Sequence, residues 1–223
     1  MHDGIVAGIG AIIFHANVCW LAHIVVHPSY RNHGFGSRLT QHMINSIPEQ
    51  KAATISLLAT ELGYTVYEKF GFKTQGIYHF YKNTKMHPQR RRPEAIVPIK
   101  KIHEEDIYRL DRVASGEDRS QRLKEFLKDG FVYNNSNGIA GFFLPSFGEG
   151  LIIAENSEAG FELMKYRNSW NDIAILPAEN KKAVDHLEKE NFRLFRTARR
   201  MWTGKKIHWN PEMIYNRVSG QIG

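Results

Sequence analysis

The stretch from Trp20 to Leu39 constrains the fold more than any other part of the chain. Ile24, Val25 and Val26 make a short β-branched apolar run that reads as a strand. Pro28 stops it, because proline has no N–H to give a ladder. Arg31-x-x-Gly34-x-Gly36 follows, and then Leu39, Met43, Ile44 and Ile47 recur at helical spacing. Glycines in such a loop let the backbone approach a ligand and tolerate positive φ. A loop of free N–H groups opening a helix is a ready anion site, suited to a pyrophosphate. The spacing excludes two familiar phosphate loops. Leu39 stands where a dinucleotide fingerprint needs its third glycine, and no Gly-Lys-Ser/Thr is present for a Walker loop.

Around this stretch the elements run strand, strand, helix, strand, helix, strand. Gly4–His15 is apolar and glycine-rich and reads as a buried strand, and Val18–Val26 is the next. A helix from Gly36 ends near Pro48, and Ala53–Ala59 is a further strand. Glu61–Phe70 reads as a short helix closed by Gly71, and Phe72–Lys82 as a strand. This order predicts an α/β (α+β) fold, a mixed sheet flanked by helices.

Two motifs carry a resemblance. The glycine loop resembles the Arg/Gln-x-x-Gly-x-Gly/Ala loop of the GNAT (GCN5-related) N-acetyltransferases. Thr60-Glu61-Leu62-Gly63-Tyr64-Thr65-Val66-Tyr67-Glu68-Lys69-Phe70-Gly71-Phe72 resembles the Asn-x-x-Ala-x-x-Phe-Tyr-x-x-x-Gly-Phe segment that follows it in that family. Thr60, Gly63 and Val66 depart from the usual Asn, Ala and Phe, and the first of these weakens a side-chain amide contact with pantetheine. The resemblance covers about Gly4–Lys82. Family members usually begin with a strand and one or two helices that roof the acceptor site, whereas this chain starts almost directly in what looks like the second strand. The expectation is that Met1 lies within a longer natural sequence, or that those elements come from elsewhere.

Residues 99–223 read as strand, helix, three strands, helix, strand, helix, strand, which looks like a second GNAT-type unit. Asn134–Gly138 is a hairpin-type turn in it, Ser157 is placed to cap a helix through Tyr166, and Phe192–Trp202 is the final strand. Asn156-Ser157-Glu158-Ala159-Gly160 replaces the glycine loop, and a carboxylate there is a poor host for pyrophosphate. The expectation is a GNAT acetyl-CoA domain over residues 1–83, a basic linker over 84–98 and a degenerate copy without cofactor over 99–223. That copy resembles the carboxy-terminal domain of some bacterial two-domain acetyltransferases, and its expected role is to complete the acceptor pocket. Its other reading is a packing or dimerisation partner, which would make a homodimer.

Charge bears on partners. The formal net charge is +7, but nearly all of the excess falls in Lys82–Lys101, with Arg90, Arg91, Arg92 and three prolines. This segment reads as a solvated linker, so the charge is not spread as a nucleic-acid-binding face. A single cysteine, Cys19, allows no intramolecular disulfide and reads as a small core residue. No apolar run is long enough to span a membrane and the start is not a signal peptide, so a cytoplasmic protein is the simplest reading.

The resemblance implies the chemistry. Acetyl-CoA would serve as co-substrate, its pyrophosphate held by the amides of Arg31, Asn32, His33, Gly34, Phe35, Gly36 and Ser37. Ile24, Val25 and Val26 would present backbone groups to the pantetheine, with Thr60 and Tyr67 also at the cofactor. A strand N–H would stabilise the oxyanion while an amine attacks directly. Tyr67 would protonate the leaving thiolate, since a phenol of pKa about 10 stays protonated at neutral pH. His23 and Glu61 are the candidate bases for the amine. No His/Cys/Asp/Glu spacing points to a metal. The expected function is an N-acetyltransferase acting on a primary amine of a small molecule. A longer acyl-CoA, a non-catalytic CoA-binding sensor or structural module, and a nucleic-acid-associated role for the basic linker are the alternatives.

Overall fold

The computed structural model describes residues 4–85, 91–136 and 138–222. Residues 86–90 of the basic segment and Asn137 of the expected hairpin turn lie outside them. In chain order the first elements are β1 (Gly8–His15), β2 (Val18–Val26), α1 (Phe35–Asn45), β3 (Thr54–Ala59), α2 (Tyr64–Glu68) and β4 (Lys73–Asn83). Then come β5 (Ile96–Pro98), α3 (Glu104–Ser115), α4 (Ser120–Leu123), β6 (Phe131–Asn135), β7 (Gly138–Leu144) and β8 (Leu151–Ala154). The last are α5 (Ser157–Asn168), β9 (Ile173–Pro177), α6 (Lys181–Lys189), β10 (Phe192–Gly204) and β11 (Ile214–Asn216). Contacts divide the chain into two compact units: Met1–Gln75 with Ala198–Ile207 and Gly220–Gly223, and Gly76–Thr197 with His208–Ser219. None of the described helices is long and apolar enough to cross a membrane.

In the first unit β1 runs antiparallel to β2, and β2 runs parallel to β3. The Arg199–Gly204 part of β10 pairs antiparallel with β3 on its other side. Helix α1 turns Leu39, Met43 and Ile44 onto the sheet because they recur at i, i+4 and i+5. There they pack against Leu21, Leu57, Ala59, Phe72 and Met201. A smaller cluster of Val18, Trp20 and Ile207, with Ile13 and Leu58, makes a further part of the core. The Arg200 guanidinium lies over the buried Trp20 ring at 4.7 Å, and its Nε donates to Gln75 Oε1 at 2.9 Å.

Two expectations are corrected here. Strand β1 is an edge strand with Ile9 and Phe14 exposed, not a buried one. Apolar composition alone does not tell an edge strand from an inner one. Helix α2 is also shorter than Glu61–Phe70. The Thr60 carbonyl accepts from both Gly63 N and Tyr64 N, which makes a turn before the helix, and Gly71 ends the segment at φ +79°.

The second unit holds a five-stranded antiparallel sheet in the order β11-β8-β7-β6-β5, and β4 pairs antiparallel with β9 over Tyr78–Lys82 and Ile173–Pro177. Helices α5 and α6 put Leu163, Met164, Ala183 and Leu187 into a core with Tyr81, Phe143, Ile152, Leu176 and Phe192. The cap of α5 is Asn156 rather than Ser157, its Oδ1 accepting from Ala159 N at 3.0 Å. A buried ion pair, Arg119 on Asp111, ties α3 to the chain entering α4, with Nε to Oδ2 at 3.0 Å.

Candidate active site

The site begins where two strands part. β2 pairs with β3 only through Val18, Cys19 and Trp20, opposite Thr54, Ile55 and Ser56. Beyond Trp20, β2 stays on β1 while β3 stays on β10, so a fork opens between them. The β1–β2 register slips at the same level, because both His23 and Ile24 stand against Gly10. This is a β-bulge, with His23 in the left-handed region at φ +52°. A bulge turns backbone groups out of the ladder, here on the strand whose free side faces the fork. His23 is exposed, Ile24 is half-buried and packs on the core, and Val25 is exposed.

The chain then crosses to α1. Arg31 folds back so that its Nε donates to the Val26 carbonyl at 3.2 Å, and His33 Nδ1 bonds the Arg31 carbonyl at 2.6 Å. Asn32 and Gly34 take positive φ, +64° and +77°, which turns the loop into the helix. Gly34 is the N-cap, has no side chain to cap with, and has open space where a Cβ would lie. The amides of Asn32, His33, Gly34, Gly36 and Ser37 donate to no acceptor among the described residues, and the first turn carries no acidic residue. An eleven-residue helix thus presents an uncapped positive end beside the fork. Phe35 supports the loop from inside, its ring 5.5 Å from Tyr30 and beneath Arg38. These features fit the diphosphate of a CoA thioester, which needs several N–H donors and no facing carboxylate.

Helix α2 supplies the remaining groups. Tyr67 is half-buried, packs on the core that Ile24 also touches, and meets Phe72 edge-on at 6.0 Å. Burial pushes its phenol above the ordinary value. Thr60 Oγ1 and the Tyr67 ring both flank Gly63, at 3.5 and 3.6 Å from where its Cβ would be. Glu61 is exposed and ion-paired with Arg199 at 3.2 Å. No hydrogen bond joins His23, Glu61 and Tyr67 among the described residues. Two residues escaped the sequence reading. Arg199, from the distant β10, holds Glu61 and lies over Tyr64 at 4.2 Å. Ser56, at the fork, is buried with its hydroxyl unbonded among the described residues. Neither belongs to a motif. Cys19 is fully buried and its thiol is pushed up to about 12, which suits a core residue and not a nucleophile. Among the described residues no group of three or more His, Cys, Asp or Glu is placed to hold a metal.

Residues 1–74 match the family model of an acetyltransferase (GNAT) domain, and residues 107–216 match a second model of the same description. The chain belongs to the GNAT acetyltransferase family. An uncharacterized N-acetyltransferase of Bacillus subtilis (strain 168), YitH, is 29% identical over 126 residues, which is 55% of this chain and 43% of that protein. The matched part is therefore less than half of that relative's length. Among solved structures, a candidate acetyltransferase from Pyrococcus horikoshii has a TM-score of 0.82 at 24% identity, over 97% of this chain and 76% of that one. A GCN5-related N-acetyltransferase from Sphaerobacter thermophilus has a TM-score of 0.57 at 15% identity, over 93% and 81%. At these identities the two structures speak to the fold.

The second GNAT unit repeats the strand–helix–strand order as β8, α5 and β9, but its gap is filled. β11 lies along β8, with Ile214 opposite Ile153 and Asn216 opposite Ile152. It also reaches β9: Ile175 N donates to Asn216 Oδ1 at 2.9 Å, and Arg217 N donates to the Ile175 carbonyl at 2.9 Å. Tyr215 packs its ring on Gly160 in the first turn of α5, and Asn180 Nδ2 donates to the Ile214 carbonyl at 3.1 Å. The start of α5 is capped by Asn156 and carries Glu158. Where the first unit is open and uncapped, the second is closed by its own chain.

Proposed function

We propose that the chain is an acyl-CoA-dependent N-acyltransferase that moves an acetyl group from acetyl-CoA to a primary amine of a small molecule, by direct attack. The observation that carries this reading is the conjunction of three features in the first unit. They are the fork between β2 and β3, the bulge at His23, and the uncapped loop from Asn32 to Ser37. Family membership supplies the class of reaction, and the GNAT family generally uses acetyl-CoA.

Acetyl-CoA supplies an activated thioester, and this chain supplies position and proton control. The loop amides and the positive end of α1 take the diphosphate. Backbone groups of Ile24–Val26 hold the pantetheine arm in the fork. A bulge N–H there donates to the thioester carbonyl, so charge that develops on oxygen meets a fixed dipole. Holding amine and thioester together supplies a large part of the rate. Tyr67, kept neutral by burial, donates its proton to the departing thiolate. His23, exposed on the bulge, takes the proton of the amine directly or through water. Glu61 is the other group in reach of that role, and its pairing with Arg199 makes it the less free of the two.

Gly160 and Asn156 in the second unit support a single acyl-CoA site per chain, because their helix start is already occupied by Tyr215 and by a side-chain cap. The test is release of free CoA from acetyl-CoA in the presence of a panel of small primary amines, with mass analysis of the product. Amine-dependent thiol release with an acetylated product supports the reading. Tight CoA binding without turnover for any amine in the panel would replace it with a CoA sensor.

A further inference from the structure

The second unit contains a cavity of about 440 Å³ that none of the residues assigned to acetyl transfer lines. Its size falls within the range of small-molecule sites. Phe80, Phe143, Trp170 and Phe195 line it, together with Arg167 and Arg196. Two of these rings, Trp170 and Phe195, are half-exposed or more, so the mouth of the cavity offers aromatic surface to a ligand.

The charges around the cavity do not balance. Arg217 takes both oxygens of the Glu149 carboxylate, Nε to Oε2 at 2.7 Å and Nη2 to Oε1 at 3.0 Å. Arg167, which is almost fully buried, has that same carboxylate as its nearby counter-charge but makes no hydrogen bond to it. Its guanidinium is held by neutral acceptors only: the Glu149 carbonyl from Nε and Nη2, and the Ile173 carbonyl and Asn168 Oδ1 from Nη1. Desolvation pulls it down to about 10, against the opposing pull of the Glu149 charge. Arg196 adds a second cation at the wall, its guanidinium 4.9 Å above the Phe80 ring. Arg167, Arg196 and Arg217 thus face one carboxylate, a buried cation that shares its counter-ion is costly, and the cavity beside it is the space from which a second anion can reach it.

We propose that this cavity is a ligand site for a small carboxylic acid with an aromatic or branched apolar body. The carboxylate meets Arg167 and Arg196, and the body lies among Phe80, Trp170 and Phe195. Aromatic walls with two guanidiniums and one already paired carboxylate select against cations and give neutral molecules no charge to answer. The site is built within the second unit and does not depend on acetyl-CoA or on the reaction assigned to the first.

Calorimetric titration of the full chain with phenylacetate, phenylacetamide and phenethylamine tests the proposal, with tryptophan emission followed in parallel for Trp170. Phenylacetate is expected to bind roughly tenfold or more tightly than the amide, since a charge-assisted pair distinguishes them, and the amine is expected not to bind. Arg196→Glu and Phe195→Glu, both at exposed positions, should abolish phenylacetate binding, and Gly34→Glu in the first unit should leave it unchanged. Circular dichroism of the two mouth variants checks that each is folded. Equal binding of the three compounds, absence of binding, or loss of binding in Gly34→Glu but not in the folded mouth variants overturns the proposal.

Discussion

The Tyr215 ring fills the space that Gly160 leaves in the first turn of α5. Glycine is therefore required there by close approach, since any Cβ would enter the ring. Gly160→Ala is expected to destabilise the second unit by about 1–3 kcal/mol, the usual cost of overpacking a filled site. Denaturant melts would read this, and acetyl-CoA affinity of the folded chain should not change. An unchanged melt would mean that Tyr215 moves aside freely and that β11 is not a fixed plug.

Tyr67→Phe separates proton donation from binding. The variant keeps the ring that packs on Phe72, so acetyl-CoA affinity should stay near the wild-type value. Turnover should fall by roughly 10²–10⁴-fold, the usual range for a general acid. Burial raises the phenol, so its proton is present at every pH below the raised value. The wild-type to variant rate ratio should therefore be flat from about pH 6 to about pH 9, well under the reference pKa of about 10. A ratio that falls within this range would contradict the role.

Asp111→Ala removes the carboxylate from the buried Arg119 guanidinium. Breaking a buried pair from one side costs up to about 3–5 kcal/mol; Arg119 loses the carboxylate it is hydrogen-bonded to and keeps only the nearby charge of the buried Glu117. Urea melts of the full chain measure this. A loss below about 1 kcal/mol would mean that Glu117 or water takes over the guanidinium in full and that the Asp111 pair does not hold α3.

Cys19 should resist thiol reagents. With the side chain buried and its thiol pushed up to about 12, almost no thiolate exists at pH 8. Labelling of the native chain should be negligible, while one thiol per chain should react in denaturant. Rapid labelling of the native form would show that the β2 core opens readily.

Local signals made much of the first unit readable. Proline 28, the two loop glycines and the spacing of Leu39, Met43 and Ile44 each act over a few residues, and the strand, loop and helix they predict are those observed. Long-range pairings carried no such signal. Nothing near Arg199–Gly204 announces that it pairs with Thr54–Ala59, and so Arg199 was not seen to reach Glu61. The bulge at His23 depends on a register slip against β1, which a single strand cannot declare. β11 spans only Ile214–Asn216, too short for a period to show, yet it fills the gap of the second unit. Arg167 belongs to no motif, and that it must share its nearby carboxylate emerges only once Glu149 is seen on Arg217.

One open acyl-CoA site per chain, at the loop from Asn32 to Ser37, is the requirement on which the proposed reaction stands. Calorimetric titration of the full chain with acetyl-CoA, beside Gly34→Glu, measures it. The expected result is micromolar binding with one equivalent per chain, lost in a folded variant whose carboxylate faces the diphosphate from the helix start. Binding of two equivalents, or binding that survives Gly34→Glu, would contradict the account.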